Sequence, residues 1–313
     1  MLLNEFLNIK YPIIQGAMAN IATAEFAACV SNCGGLGIIA TGSMNVEQTR
    51  DEIRKCKQLT EKPFGVNVML MNPYAEGIID VICEEKVAVV TTGAGNPGPY
   101  MDQLKASGTK VLPVVPSVGL AKRMERAGAD AIIVEGGESG GHVGEMTTMA
   151  LLPQVVDAVE IPVIGAGGIA DGRGMVAALA LGACGVQVGT CLLVADECPI
   201  HENYKDTVIK AKDTDTVVTG RSLNAPVRVL KNQMSRQYLQ IEANLENREE
   251  LEKLTLGGLR KAVQEGDMKT GSVMLGQIAG MVKEKKPMQA ILDEMMSSTH
   301  QAFEVLSKKL EEL

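Results

Sequence analysis

The sequence lacks several patterns that identify common classes of protein. Its longest apolar stretches have only the length of a β-strand, so the 313 residues do not indicate a membrane bundle. The 30 Lys and Arg residues are outnumbered by 38 Asp and Glu residues. The resulting net charge of −8 argues against a broad nucleic-acid surface, because binding phosphate backbones requires clustered cations. Residues 1–10 lack a basic start followed by an apolar core, so we expect no targeting peptide and a cytoplasmic location.

Metal-binding and nucleophilic signatures are missing as well. The seven cysteines form no C-x-x-C pair, and their odd number cannot close completely into intramolecular disulfides. Neither an H-E-x-x-H motif nor a Ser, Cys or His set with the spacing of a covalent triad is present. We therefore predict no metal site and expect a bound cofactor to carry any reaction. Of only three histidines, His201 and His300 are expected to be structural or solvated.

Short apolar segments alternate with helical segments along the first two thirds of the chain. Eight strands are predicted, at residues 12–16, 36–40, 64–70, 87–92, 110–115, 131–135, 162–166 and 185–189. Helices are predicted between them, at residues 22–33, 46–58, 73–85, 98–107, 118–127, 147–159 and 172–182. This alternation indicates an α/β protein with a parallel sheet.

The eight units fit a closed TIM (β/α)8 barrel. A doubly wound open sheet is the alternative, since the buried strands of both folds have the same periodicity. Glycine and polar residues collect at the carboxyl ends of the predicted strands, where barrel enzymes have their active sites, and this favours the barrel. The pattern changes after Thr190. We predict a barrel over residues 1–195, a small helical lid or substrate subdomain over 196–255, and a helical segment over 256–313 that packs on the barrel.

The last two predicted strands carry the strongest functional signal. Residues 161–172 read I-P-V-I-G-A-G-G-I-A-D-G, and residues 185–190 read G-V-Q-V-G-T. Glycine after a buried strand lets backbone N–H groups approach an anion, and the positive end of a helix that begins near Asp171 adds to the attraction. In a (β/α)8 barrel the seventh and eighth strands often form a phosphate site. We therefore predict a phosphate-binding site at these two glycine turns.

A glycine-rich loop follows the sixth predicted strand. Residues 135–144 read E-G-G-E-S-G-G-H-V-G and include the remaining histidine, His142. Ordering so many glycines costs conformational entropy, which is tolerated where the backbone must approach a ligand or change conformation. His142 then acts as an acid, donates a hydrogen bond to a cofactor or substrate, or is a plain rim residue.

These segments resemble a known group of proteins. Residues 11–18 (Y-P-I-I-Q-G-A-M), 63–69 (P-F-G-V-N-V-M) and 91–97 (T-T-G-A-G-N-P), with the two glycine-rich segments above, resemble the nitronate monooxygenase and enoyl-acyl-carrier-protein reductase II superfamily of flavin barrels. Within it, residues 113–124, 203–205, 227–233 and 271–280 resemble the reductase branch. The resemblance covers nearly the whole chain.

The resemblance implies an FMN-binding barrel and a reaction. NADH or NADPH reduces the flavin, whose N5 delivers hydride to the β-carbon of a trans-2-enoyl thioester carried by acyl-carrier protein or CoA, and protonation of the α-carbon completes the reduction. Oxidation of alkyl nitronates by oxygen, with His142 as general base, is the alternative. A non-catalytic phosphate or nucleotide sensor is a third possibility, because a fold by itself does not fix function. The resemblance also implies a homodimer and a monovalent-cation requirement, whose ligands it does not place.

The resemblance further implies roles for individual residues. Ala17 and Met18 would lie beside the isoalloxazine ring, Asn67 would bind it, and Glu135 would contact the ribityl side, with Gly141 also at the cofactor. The residues around the phosphate would be Gly167, Gly168, Gln187, Gly189 and Thr190. His142 matches the histidine of the family's loop that is tied to activity, either as a proton donor or as a positioning group.

Overall fold

A computed structural model describes residues 1–244 and 248–312. Eight parallel strands form a ring: β1 Ile13–Gln15, β2 Gly37–Ala40, β3 Phe64–Met69, β4 Val89–Gly93, β5 Lys110–Val115, β6 Ile132–Glu135, β8 Val163–Ala166 and β9 Gly185–Val188. The short strand β7, Gly141–His142, lies outside this ring. Their order is β1-β9-β8-β6-β5-β4-β3-β2. The ring closes between β1 and Leu36, just before β2, because Gln15 N donates to Leu36 O at 2.9 Å and Leu36 N donates to Ile13 O at 2.9 Å. The predicted barrel is confirmed, and the open doubly wound sheet is wrong.

The helices of the barrel lie where the sequence predicts them. They are α2 Ala24–Asn32, α3 Val46–Leu59, α4 Ala75–Glu84, α5 Met101–Ala106, α6 Val118–Ala127, α7 Thr148–Val156 and α8 Gly172–Ala180, preceded by a short α1, Leu3–Leu7. Local capping fixes several of their starts. Asn45 and Gln48 form a capping box at α3, and the Ser117 side chain accepts from Leu120 N at α6.

The amino end of the barrel is sealed by α1. Leu3 and Leu7 are buried in the core inside the ring with strand residues such as Ile14 and Ile164. Leu3 N donates to Cys184 O at 2.8 Å, and a Cβ built on Gly185 would lie 2.6 Å from the Leu3 side chain. Only glycine allows this approach. Because the amino end is closed, a ligand site must use the carboxyl end of the ring.

The chain after the barrel contains the predicted helices and, in addition, two short strands. It contains α9 Glu202–Lys210, β10 Thr216–Thr219, β11 Val227–Leu230, α10 Gln233–Ala243, α11 Arg248–Thr255, α12 Gly258–Glu265 and α13 Met288–Glu311. A second sheet has the order β10-β11-β7, where β7 is Gly141–His142 in the glycine-rich loop. The β-branched residues of 216–219 and 227–229 favour these strands, whose pairing with β7 is a long-range contact. The division at residues 195 and 255 stays a prediction.

The last helix, α13, packs on the barrel at α8, in agreement with the helix expected from about residue 287. Met288, Leu292 and Met295 are buried, and Gly172 N donates to Ser298 Oγ at 3.0 Å. A Cβ on Gly172 would overlap the backbone of residues 298–299, so the two helices touch at this glycine. In the part of the chain that the structure describes, no helix is both long and apolar enough to span a membrane.

Candidate active site

The candidate residues lie at the carboxyl end of the barrel. Ala17 and Met18 follow β1, Asn67 lies in β3, Glu135 ends β6, Gly141 and His142 form β7, Gly167 and Gly168 follow β8, Gln187 lies in β9, and Gly189 and Thr190 follow β9. Around the ring, β6, β8, β9 and β1 are consecutive neighbours, and β3 lies one strand beyond β2. The structure thus brings residues from distant parts of the sequence to one rim.

The two glycine turns after β8 and β9 lie side by side, because Ala166 is opposite Gln187 in the register. Gly167 and Gly168 have φ of +89° and +75°, a left-handed region that favours glycine. Within residues 1–244 and 248–312, the amides of Gly167, Gly168, Gly189 and Thr190 donate to no protein acceptor. Backbone N–H groups normally find a partner, so four available donors at adjacent strand ends fit a phosphate group.

We call the four free amides of Gly167, Gly168, Gly189 and Thr190 the cradle. Thr190 adds a side-chain hydroxyl to it. Its Oγ1 accepts a hydrogen bond from Gly276 N at 2.9 Å, which leaves its own hydrogen available to a ligand oxygen. Gln187 is buried in β9, and its side chain lies 3.6 Å from a Cβ built on Gly16 at the end of β1. Both side chains therefore belong to the wall of the cradle.

The expected contribution of the α8 N-terminus is wrong. Asp171 caps this helix: its Oδ1 accepts from Arg173 N at 2.9 Å, and its Oδ2 pairs with the Arg173 guanidinium at 2.6 Å. Gly172 N donates to Ser298 of α13. The first amides of the helix are therefore occupied and a carboxylate lies at its positive end, so in the described residues this helix offers no free N–H group to an anion.

The glycine-rich loop is tied down rather than free. Glu138 accepts from Thr148 N at 3.0 Å, at the start of α7, and Gly137 N donates to Met146 O at 2.7 Å. The backbone oxygen of Glu138 accepts from Gln277 N at 2.8 Å. The loop is thus held both by its own far end and by the chain after the barrel.

Glu135 is the carboxyl group with the most perturbed titration at this rim. Burial raises its pKa to about 7, and a hydrogen bond from Ser139 offsets part of that rise. A carboxyl group that titrates near neutrality in a cleft is a candidate for proton transfer or for ligand binding.

His142 is exposed on the glycine-rich loop, in β7. Its backbone is fixed by pairing with Val227 of β11, and its neighbour Gly141 has φ of +82°. The other histidines lie elsewhere, as expected. His201 caps α9 by accepting from Asn203 N at 3.1 Å, and His300 is exposed on α13.

Asn67 has a defined amide orientation. Its Nδ2 donates to Thr91 Oγ1 at 2.9 Å, and a weaker contact joins Nδ2 to Thr91 O at 3.4 Å. Among the described residues its Oδ1 has no partner, so it presents an acceptor to the site. Met18 links this region to the cradle, because its Sδ lies 3.7 Å from a Cβ built on Gly189.

Several residues of the site were not identified from the sequence. Arg228 donates to Gly137 O from Nε at 3.0 Å and from Nη2 at 2.7 Å, while Gly276 and Gln277 contact Thr190 and Glu138. They lie in the segments 227–233 and 271–280 that resemble the reductase branch. That resemblance was the available signal, but it does not show which loop these segments contact.

Comparisons with known proteins agree with this geometry. A family model described as nitronate monooxygenase matches residues 1–78 and 73–298. FabK from Thermotoga maritima is 48% identical with a TM-score of 0.96, over 98% of both chains. A probable nitronate monooxygenase from Staphylococcus aureus is 33% identical over 96% of this chain and 98% of its own. An octahydro-indene-carboxyl-CoA dehydrogenase from Rhodococcus jostii is 39% identical over 74% of this chain, and the match spans 66% of that relative's length.

Proposed function

The chain belongs to the nitronate monooxygenase family, and we propose that it is an FMN-dependent enoyl-acyl-carrier-protein reductase. One observation carries the proposal: both segments near the site that resemble the reductase branch fold onto the glycine-rich loop. β11 pairs with β7, which contains His142, and residues 276–277 contact Thr190 and Glu138. The 48% identity with FabK along nearly the whole chain supports it.

The residues present fit FMN. Four available amides at the ends of β8 and β9 suit its phosphate, and the Thr190 hydroxyl adds a fifth donor. Asn67 offers an acceptor to an N–H group of the ring, Ala17 and Met18 would flank the ring, and Glu135 and Gly141 would lie along the ribityl chain. Bound FMN would supply the chemistry, passing hydride from NADH or NADPH to the β-carbon of the enoyl thioester.

The protein itself then has three tasks. It holds the ring and the thioester at contact distance, which supplies most of the rate enhancement. We infer that the tied glycine-rich loop borders the bound substrate and that the exposed His142 on this loop is available to it. We assign His142 to the protonation of the α-carbon or to positioning the thioester.

The decisive assay uses purified protein loaded with FMN. We expect oxidation of NADH or NADPH that depends on a crotonyl thioester, and an optical spectrum typical of a flavin. No thioester-dependent oxidation with either nucleotide would exclude the proposal.

His142→Ala should lose turnover while it retains FMN, because the side chain is exposed and β7 is held by backbone pairing. Flavin content and kcat of the variant measure this. Full activity would remove His142 from the reaction.

Nitronate oxidation is the second candidate, favoured by the family model and by the relative from Staphylococcus aureus. Oxygen uptake with an alkyl nitronate, in the absence of nicotinamide, separates it from the reductase. A protein that binds FMN and performs neither reaction would point to a sensor.

The partners follow from the proposed reaction. We propose acyl-carrier protein or CoA as the carrier of the thioester, and the name of the relative from Rhodococcus jostii contains a CoA thioester. The homodimer and the monovalent cation stay predictions of the resemblance. The cytoplasmic location stays a prediction from the sequence, and the choice between NADH and NADPH stays open.

A further inference from the structure

Arg228 is a partly buried cation beside the glycine-rich loop. It lies opposite Gly141 in the β11–β7 pair. Nε and Nη2 donate to Gly137 O, and Nη1 donates to Thr216 Oγ1 at 3.2 Å, so its three hydrogen bonds in the described residues all go to neutral oxygens. A guanidinium has five N–H groups, and two of them remain available.

Two charged side chains, Glu138 and Arg221, lie near enough to this guanidinium to affect its pKa. Burial lowers the pKa of Arg228, the negative charge of Glu138 raises it, and the positive charge of Arg221 lowers it again. Arg221 is exposed at the turn between β10 and β11. A partly buried cation without an ion pair is unusual outside functional sites.

The neighbouring carboxylates are hydrogen-bonded to other groups. Glu138 accepts from Thr148, and Glu242 of α10 accepts from the amides of Gly220 and Ser222. In the described residues neither carboxylate accepts a hydrogen bond from Arg228, whose partners are Gly137 and Thr216. The two remaining N–H groups of its guanidinium could therefore bind a ligand anion.

We propose that Arg228 and Arg221 form a phosphate subsite for a substrate of the reductase. The inference rests on the proposed function, because both substrate classes carry phosphate: the nicotinamide dinucleotide, and the phosphopantetheine arm of the thioester. The planar donor fork of arginine suits phosphate oxygens. The FMN phosphate is assigned elsewhere, since the turns after β8 and β9 provide its donors.

The first test is Arg221→Met, because an exposed side chain is replaced without disturbing the fold. KM is measured for NADH, NADPH, crotonyl-CoA and crotonyl-N-acetylcysteamine, which carries no phosphate. Losing one charge-assisted hydrogen bond should raise KM about tenfold for the substrate that uses the subsite, with kcat little changed. A higher KM for the dinucleotides alone assigns the subsite to them, and a higher KM for crotonyl-CoA alone assigns it to the thioester arm.

Arg228→Lys and Arg228→Met should raise the same KM further, and the exposed Arg236→Met on α10 is the matched control. FMN affinity, measured by fluorescence quenching without substrate, should equal that of the unmodified protein in every variant. A weaker FMN affinity in the Arg228 variants would place Arg228 in the flavin site and overturn the proposal. An unchanged KM for all four substrates in the variants at both positions would overturn it too. Failure of the proposed function is distinct, because the unmodified protein would then show no thioester-dependent oxidation.

Discussion

At the scale of single residues, the orientation of the Asn67 amide depends on Thr91. Thr91 is 1% exposed, and its Oγ1 and carbonyl oxygen both face Asn67 Nδ2. The amide oxygen is thereby left without a partner among the described residues and is available to a ligand donor. The resemblance implies that Asn67 binds the cofactor, whereas the orientation of its amide depends on a neighbour on the adjacent strand.

We predict that Thr91→Val weakens FMN binding by about 1 kcal/mol, the usual worth of one hydrogen bond, because the amide becomes free to turn. Titration of apoprotein with FMN, followed by flavin fluorescence, measures the change. Thr109→Val is the control, since this buried threonine donates to Val87 O at the amino end of the barrel. Equal losses of FMN affinity in both variants would contradict the orienting role.

Glu135 gives a second prediction at this scale, on pH and stability. Its pKa rises from the ordinary value of 4.5 to about 7 in the fold, so between these values the folded state binds more protons than the unfolded state. The contribution of Glu135 to the free energy of unfolding should therefore be largest below pH 4.5 and decline as pH rises to 7.

Urea unfolding of apoprotein at pH 5, 6, 7 and 8 tests this. Glu135→Gln should show a smaller decline in unfolding free energy over this range than the unmodified protein, while the exposed loop variant Glu145→Gln should match the unmodified protein. The idea fails if all three proteins have the same pH dependence.

At the scale of elements, the local sequence pattern was sufficient to predict the barrel but not the second sheet, β10-β11-β7. Each of the eight strands is a buried run bounded by turn residues, and local capping residues were enough to predict the helices between them. The sheet β10-β11-β7 joins chain segments more than 80 residues apart, and the Gly172–Ser298 contact spans 126 residues. Such contacts depend on tertiary packing, which is why neither the strands β10 and β11 nor the occupied amides at the α8 N-terminus could be predicted from the sequence.

The turn after β8 gives the prediction for elements. Gly167→Ala should reduce both stability and FMN retention, because φ is +89° and the new Cβ would lie 2.8 Å from Gly136 O. The free energy of unfolding should fall by about 1–3 kcal/mol because of strain between the two loops. The new methyl group itself would not occupy the place of the anion. Flavin content and thermal unfolding measure it. Gly119→Ala on α6, where a Cβ meets nothing within 4 Å, is the control and should retain FMN fully.

At the scale of the whole molecule, we predict that residues at the amino end of the barrel contribute to stability and that residues at the carboxyl end bind the cofactor. The amino end is filled by α1, while the turns, the glycine-rich loop and the second sheet lie at the carboxyl end. Around that rim, the cradle of β8 and β9, Met18 after β1 and Asn67 in β3 follow one another. We therefore expect FMN to lie along this arc, and substitutions at the opposite end to leave its binding unchanged.

Leu3→Ala tests this separation, because Leu3 is fully buried under the ring. Removing a buried leucine side chain leaves a cavity and should lower the free energy of unfolding by about 3 kcal/mol. The FMN dissociation constant, measured well below the melting temperature, should not change. Leu2→Ala is the matched control, since its side chain is 46% exposed and its loss should change stability by less than about 0.5 kcal/mol. A weaker FMN affinity in the folded Leu3→Ala protein would show that the two ends of the barrel are coupled.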